Sequence, residues 1–183
     1  MPHWRIRYAA RILRSGGVVA YPTESVFGLG CDPWNPYAVL RLLQLKRRAS
    51  AKGLILIAAD YQQLAPWLGA ADEALRATLT GRRPRPVTWL VEAPAVPGWI
   101  RGDHPKTAVR IVNHGIAAAL CRAFGGPIVS TSANISGGPP ARTALKARLL
   151  FGNRPDYILA GRVGPFDRPS EIRDAETGRI HRR

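Results

Sequence analysis

Gly53-Leu54-Ile55-Leu56-Ile57-Ala58-Ala59 is a continuous apolar run, and its reading decides the fold. It is far shorter than the roughly 20 residues that a membrane-spanning helix needs. An unbroken apolar run of strand length, without polar alternation, is what a strand covered on both faces requires. Such a strand implies a sheet with packing layers on either side.

Working outward, the signals alternate. Upstream, Val39, Leu42 and Leu43 place one apolar face on a helix predicted from about Tyr37 to Lys46, with Asn35 or Asp32 able to cap it. Before it, Ile6, Ala9, Ala10 and Leu13 give a helix over Arg5 to Arg14, and Gly16-Gly17 turns the chain into a strand at Val18 to Tyr21. Thr23 to Gly30 reads as a polar, glycine-bearing loop in which backbone could approach a ligand. Downstream, Asp60 to Leu64 begins a short helix and Ala71 to Leu79 forms another. The basic loop Thr80-Gly81-Arg82-Arg83-Pro84-Arg85-Pro86 follows, and its prolines exclude helix interior. Val87 to Val91 and Thr107 to Val112 are predicted strands, joined by an irregular connection. Ile116 to Phe124 is a predicted helix, closed by Gly125-Gly126. A strand from Ile128 then runs into Ser130-Thr131-Ser132-Ala133-Asn134. A last helix covers about Thr143 to Phe151, and short strands lie around Tyr157-Ile158-Leu159 and Glu171-Ile172-Arg173. Strands interleaved with helices define an α/β (α+β) fold, a single domain over residues 1–183 with one sheet under helical cover.

Composition narrows the function. The chain has 183 residues and a formal net charge of +15, with basic residues spread throughout, which favours a polyanionic partner such as nucleic acid or nucleotide phosphates. An arginine-rich but otherwise ordinary surface would read the same way. No secretory signal is evident at the amino terminus, so a cytosolic protein is expected. Cys31 and Cys121 lack metal-ligand spacing and are expected as reduced core thiols.

Three constellations could carry chemistry. Lys46, Arg47, Arg48 and Lys52 crowd positive charge at a helix end, as a triphosphate would need; they would equally complement the helix dipole. Ser130 to Gly138 places hydroxyls, a carboxamide and two glycines at the carboxyl end of a strand, where ligands of open α/β sheets lie, although a Ser/Thr-rich turn needs no ligand. Thr23 could bond a small polar ligand, and Arg110 could grip a carboxylate or simply face solvent. His3, His104, His114 and His181 are scattered and receive no role. No catalytic triad, Gly-Lys phosphate loop or zinc spacing is visible.

Taken in order, Tyr21-Pro22-Thr23-Glu24-Ser25-Val26-Phe27-Gly28-Leu29-Gly30-Cys31-Asp32, Lys46 with Arg48, Lys52-Gly53-Leu54-Ile55, Ala108-Val109-Arg110, Ser130 to Gly137 and Pro169-Ser170-Glu171-Ile172-Arg173-Asp174 are similar to the YrdC (TsaC) family, in its short bacterial form of threonylcarbamoyl-AMP synthase. The resemblance implies a YrdC-like twisted open sheet, related to the dihydroxybutanone-phosphate synthase fold, with a basic concave face. It implies a nucleotidyltransferase joining L-threonine, bicarbonate and ATP into threonylcarbamoyl-AMP and pyrophosphate, with Mg²⁺ bound through the phosphates. A separate threonylcarbamoyl transferase would then modify tRNA. By motif, Lys46, Arg48, Ser132 and Asn134 would be catalytic and bind ATP with Lys52, while Thr23, Arg110 and Ser170 would hold threonine; no protein residue would ligate the metal. Ala49 departs from the proline usual after Lys-x-Arg, and Arg83-Pro84-Arg85-Pro86 replaces a Pro-Gly-Pro turn. A non-catalytic double-stranded RNA or tRNA-binding module is the alternative, since a basic face alone would serve it.

Overall fold

A computed structural model describes residues 2–69 and 72–182. Its helices are α1 (His3–Arg14), α2 (Pro36–Lys46), α3 (Tyr61–Leu68), α4 (Glu73–Thr80), α5 (Gly98–Arg101), α6 (Gly115–Phe124) and α7 (Ala144–Phe151). Its strands are β1 (Val19–Pro22), β2 (Phe27–Cys31), β3 (Ile55–Ala58), β4 (Val87–Val91), β5 (Thr107–Ile111), β6 (Ile128–Ser132), β7 (Tyr157–Ile158), β8 (Glu171–Asp174) and β9 (Ile180–Arg182). They form one mixed sheet in the order β7-β1-β2-β6-β3-β5-β4-β8-β9. The decisive apolar run becomes β3, central and paired with β6 and β5. Leu56 and Ala58 pack on one side with Val39, Leu42, Leu64 and Ile100; Ile57 packs on the other with Leu13 and Leu120. Both faces are covered, as the absence of polar alternation requires. No helix among the described residues is long and apolar enough to cross a membrane. Cys31 and Cys121 are buried and unpaired, and burial raises the Cys121 thiol to about 12.

The structure corrects one expectation and extends others. Residues 27–31 are a strand, not a loop, and the glycines there make room for a side chain. A Cβ on Gly30 would lie 2.6 Å from the Val129 carbonyl oxygen and 2.9 Å from the Tyr21 ring, and one on Gly28 would lie 3.2 Å from that ring. The ring of Tyr21 thus lies against the bare backbone of β2, and its hydroxyl donates to Ser130 Oγ at 2.8 Å. The helix beginning at Asp60 continues through Pro66 to Leu68, because Trp67 and Leu68 are buried at its end. Burial of two such side chains, about 1.5–3 kcal/mol each, offsets the roughly 3 kcal/mol that a helical proline costs. The following helix starts at Glu73 with Asp72 as its cap; Ala71, where it was expected to start, lies outside the described residues. The connection after β4 contains α5, too short to show periodicity, and β9 returns along β8 near the carboxyl terminus.

The end of α2 sets the directions of Lys46 and Arg48. Asn35 caps its start by accepting from Ala38 N at 3.0 Å, with Pro36 in the first turn. At its other end Arg47 takes a left-handed conformation (φ 52°), Arg47 N donates to Gln44 O and Arg48 N to Leu43 O, both at 3.0 Å. This is a Schellman turn with arginine where glycine is usual. It leaves Lys46 facing the protein interior and starts Arg48 along a new direction.

Gly30→Ala is expected to lower unfolding free energy by about 1–3 kcal/mol, the cost of overpacking against unyielding backbone. A reduced urea midpoint at unchanged slope is the expected result; an unchanged midpoint would refute the packing role of Gly30.

Candidate active site

In strands side chains alternate between faces, so Ile55, Arg110, Ser130 and Ser132 share the face on which Ile57 and Ile128 meet α1 and α6. Beyond those helices this face is open, and a cavity of about 510 Å³ occupies it. Among the described residues its lining includes Arg48, Lys52, Arg101, Lys106, Arg110 and Arg182 against a single carboxylate, Asp174. That carboxylate is already engaged, by the N–H groups of Glu176 and Thr177 and by Lys106 at 2.9 Å. These contacts, the Thr177 N–H foremost, hold its acidity well below the usual carboxylate range. The cleft therefore carries excess positive charge.

One end is built by α2 and β6. Lys46 is 2% exposed, and its ammonium donates to the Ser132 carbonyl, and at 2.9 Å to both the carbonyl and Oδ1 of Asn134. Ser132 Oγ donates to the same Oδ1 at 2.7 Å. Asn134 Nδ2 donates to the carbonyls of Ile135 and Gly138, so this side chain folds the turn after β6 around itself. Burial, then the neighbouring Arg48, lowers the Lys46 ammonium to about 8. Arg48 donates to the carbonyls of Lys52 and Gly53 at 3.0 and 2.9 Å. Those carbonyls are placed by a close crossing of backbones: Cβ atoms on Gly53 or Gly102 would lie 2.6 Å from Arg101 O and Ala51 O respectively. Both glycines have positive φ, so side chains there would be strained as well as crowded.

The other end joins the turn after β1 to the chain before β8. Thr23 Oγ1 donates to Val26 O at 2.8 Å, and Thr23 O accepts from Gly164 N. Ser170 Oγ shares a 2.7 Å hydrogen bond with Thr88 Oγ1. Arg110 is paired with buried Glu24 at 3.4 Å, and the other oxygen of Glu24 accepts from Asn113 N at 2.8 Å. Arg182 donates to Ser170 O at 2.8 Å; burial, then its nearness to Arg110 and Arg48, lowers its basicity. Three guanidinium groups thus converge without enough carboxylates to neutralise them. A multiply charged anion would relieve that repulsion.

Of the residues expected from sequence, Thr23, Arg48, Lys52, Arg110, Ser132 and Ser170 line one cavity. Lys46 and Asn134 stand directly behind Ser132, with their polar groups turned into the loop rather than into the cavity lining. Sequence reading missed Arg182, and with it His104 and His181, which also line the cleft. The Thr177-Gly178 turn after β8 was the available signal for a returning hairpin that brings Arg182 to Ser170.

Fold and cleft together define an α/β protein with one strongly basic cleft that carries hydroxyl groups at both ends. A family model described as "Telomere recombination", spanning the Sua5, YciO and YrdC proteins, matches residues 11–183. The chain belongs to this Sua5–YciO–YrdC family. It is 54% identical over 178 residues to the threonylcarbamoyl-AMP synthase of Nitrosococcus oceani, covering 97% of this chain and 96% of that one. It is 50% identical over 179 residues to the synthase of Cellvibrio japonicus, covering 97% and 95%. Among solved structures, P. abyssi Sua5 complexed with L-threonine superposes with a TM-score of 0.88 at 32% identity. That match covers 95% of this chain and 52% of Sua5, so the chain spans about half of that protein. E. coli YciO, at 24% identity and a TM-score of 0.85 over 99% of this chain and 89% of that one, shares the fold.

Two outcomes follow from the geometry. If charged Lys46 organises the β6 turn, kcat/KM falls as pH rises through about 8, while stability moves the opposite way. The folded ammonium releases its proton at about 8 and the unfolded chain holds it to 10.5, so this group's share of stability rises with pH between those values. Activity and urea titrations across that range check both signs. Glu24→Gln removes the anion beside Arg110; a several-fold rise in KM for the carboxylate-bearing substrate, with kcat little changed, is expected from steady-state kinetics.

Proposed function

We propose that this chain is a threonylcarbamoyl-AMP synthase, a nucleotidyltransferase that joins L-threonine, bicarbonate and ATP. The observation that carries the reading is the single cleft in which Arg48, Lys52, Ser132, Thr23, Arg110 and Ser170 meet, in a chain about half identical to enzymes of that name over nearly its whole length.

In this reading Arg110, steadied by Glu24, pairs the threonine carboxylate, while Thr23 and Ser170 border the amino acid. The threonine amine adds to the carbon of bicarbonate and water leaves, giving a carbamate. A carbamate oxygen then attacks the α-phosphorus of ATP; the bond from that phosphorus to the bridging oxygen breaks, and pyrophosphate departs. Charge grows on the leaving group, and fixed cations stabilise it without reorganising. Arg48, held by two carbonyls, Lys52 and Arg182 supply them. Lys46 and Asn134 keep Ser132 in place behind the phosphates. No protein nucleophile takes part, and positioning does most of the work.

Mg²⁺ enters as part of the ATP substrate. Asp174 is committed to Lys106 and backbone N–H groups, and the cleft's other oxygen donors include the hydroxyls of Ser130 to Ser132, a set suited to a metal already carried by phosphates. The product would pass to a separate transferase that modifies tRNA, in the cytoplasm, and the chain's charge of +15 suits contact with that RNA.

The test is pyrophosphate release by purified protein with ATP, Mg²⁺ and bicarbonate. Release is expected only when threonine is present. Arg48→Ala is expected to lower it by about 10²–10³-fold, as loss of a preorganised charge-stabilising donor does. Threonine-independent release, or none, would remove the synthase reading.

A further inference from the structure

A second concavity lies at the end of the sheet where β5 finishes and β4 begins, with a volume of about 700 Å³. It is outside the cleft; Glu24 belongs to its wall, whereas Thr23 and Ser25 border the cleft. Arg82, Arg83 and Arg85 approach it from the loop after α4, and Arg122 from α6. Among the described residues none of these four makes an ion pair or a side-chain hydrogen bond. Arg83 lies over the Trp89 ring, 5.5 Å from its centroid, which limits where its guanidinium can point. Pro84 and Pro86 fix φ on either side of Arg85, so the loop is stiff before any ligand arrives.

The same concavity receives the amino end of α6 at His114 and Gly115, where no side chain caps the free N–H groups. That end favours negative charge. Glu24, the one acidic side chain of the lining among the described residues, already faces Arg110 and accepts from Asn113 N, so it does not neutralise the four arginines. Four unpaired guanidinium groups, brought to one concavity of about 700 Å³ by two separate elements, the loop after α4 and α6, suit a ligand that carries several anions.

We infer that this groove is a second anion site, separate from the cleft, that takes a chain of phosphates. Such a chain comes either from a nucleic-acid backbone or from free polyphosphate, and the groove reads its charge. The inference stands without the synthase reading, because no residue assigned to the cleft chemistry contributes a cation to it.

The experiment compares three full-length proteins: wild type, a groove variant with Arg83→Gln, Arg85→Gln and Arg122→Gln, and a charge-matched control with Arg7→Gln, Lys146→Gln and Arg179→Gln. Binding of a fluorescein-labelled single-stranded RNA is followed by anisotropy over a range of salt, with tripolyphosphate as competitor. The groove variant should bind at least tenfold more weakly than the control. Its log–log salt slope should be shallower by about 2, from about 0.7 for each lost phosphate contact. Threonine-dependent pyrophosphate release should be equal in all three, which separates this site from the cleft. Competition by tripolyphosphate that disappears in the groove variant supports the site and makes a free phosphate chain sufficient. Weakened RNA binding without such competition supports it and restricts the ligand to nucleic acid. Equal binding in all three proteins, or equal losses in the two triple variants, overturns it.

Discussion

The buried ammonium of Lys46 is the tie on which the cleft depends. It joins the carboxyl end of α2 to the carboxyl end of β6, elements separated by most of the sheet's core in sequence, through two carbonyls and a side-chain amide oxygen. A buried charge of this kind is tolerated only when its donors are satisfied. Here all three protons have acceptors, and the acceptors belong to the segment that bears Ser132. The return contact, Ser136 N donating to Lys46 O at 2.9 Å, closes the loop onto the helix. Burying the charge therefore fixes backbone, and the backbone presents the hydroxyl row.

From that tie the cations take their places by backbone rather than by carboxylates. Arg48 rests on the carbonyls of Lys52 and Gly53, and Arg182 rests on the carbonyl of Ser170. Carbonyl acceptors orient a guanidinium without cancelling its charge. Only Arg110 among the three has a carboxylate beside it, Glu24, and that pair is buried where full neutralisation helps to meet the desolvation cost. The result is a cleft that is rigid and electropositive at once, the condition under which electrostatic stabilisation of a departing anion is strongest.

Much of this was legible in the sequence, for reasons that differ by element. β3 was legible because a strand buried on both faces must be apolar throughout, and α1 because Ile6, Ala9, Ala10 and Leu13 keep one face. β2 was not, because its glycines imitate a loop; what they answer is the Tyr21 ring on the neighbouring strand, a contact that no local pattern encodes. β9 was hidden because Ile180, His181 and Arg182 carry no apolar alternation, and its order comes from pairing with β8. In the site, residue types and motif order brought out eight side chains, and the structure collects six of them on one cavity. The depth of Lys46 and Asn134 was invisible, because a Lys at a helix end reads as a solvated dipole partner until the strand beyond it is seen to supply acceptors.

Arg47 ties fold to function most economically. A left-handed, non-glycine residue costs roughly 1–2 kcal/mol, and glycine at the same place would relieve it. The turn itself is nevertheless needed: without it the helix would continue and carry Arg48 about 100° per residue around the axis, away from the carbonyls of Lys52 and Gly53. Glycine would make the turn and would also enlarge the conformational freedom of the unfolded chain and of the segment between Lys46 and Arg48. An arginine in that conformation accepts local strain while keeping Lys46 and Arg48 in fixed relation, one inward to the β6 turn and one outward to the cleft. The strain at Arg47 is thus balanced by the hydrogen bonds made on either side of it, which is the arrangement expected where backbone conformation is over-determined by its surroundings.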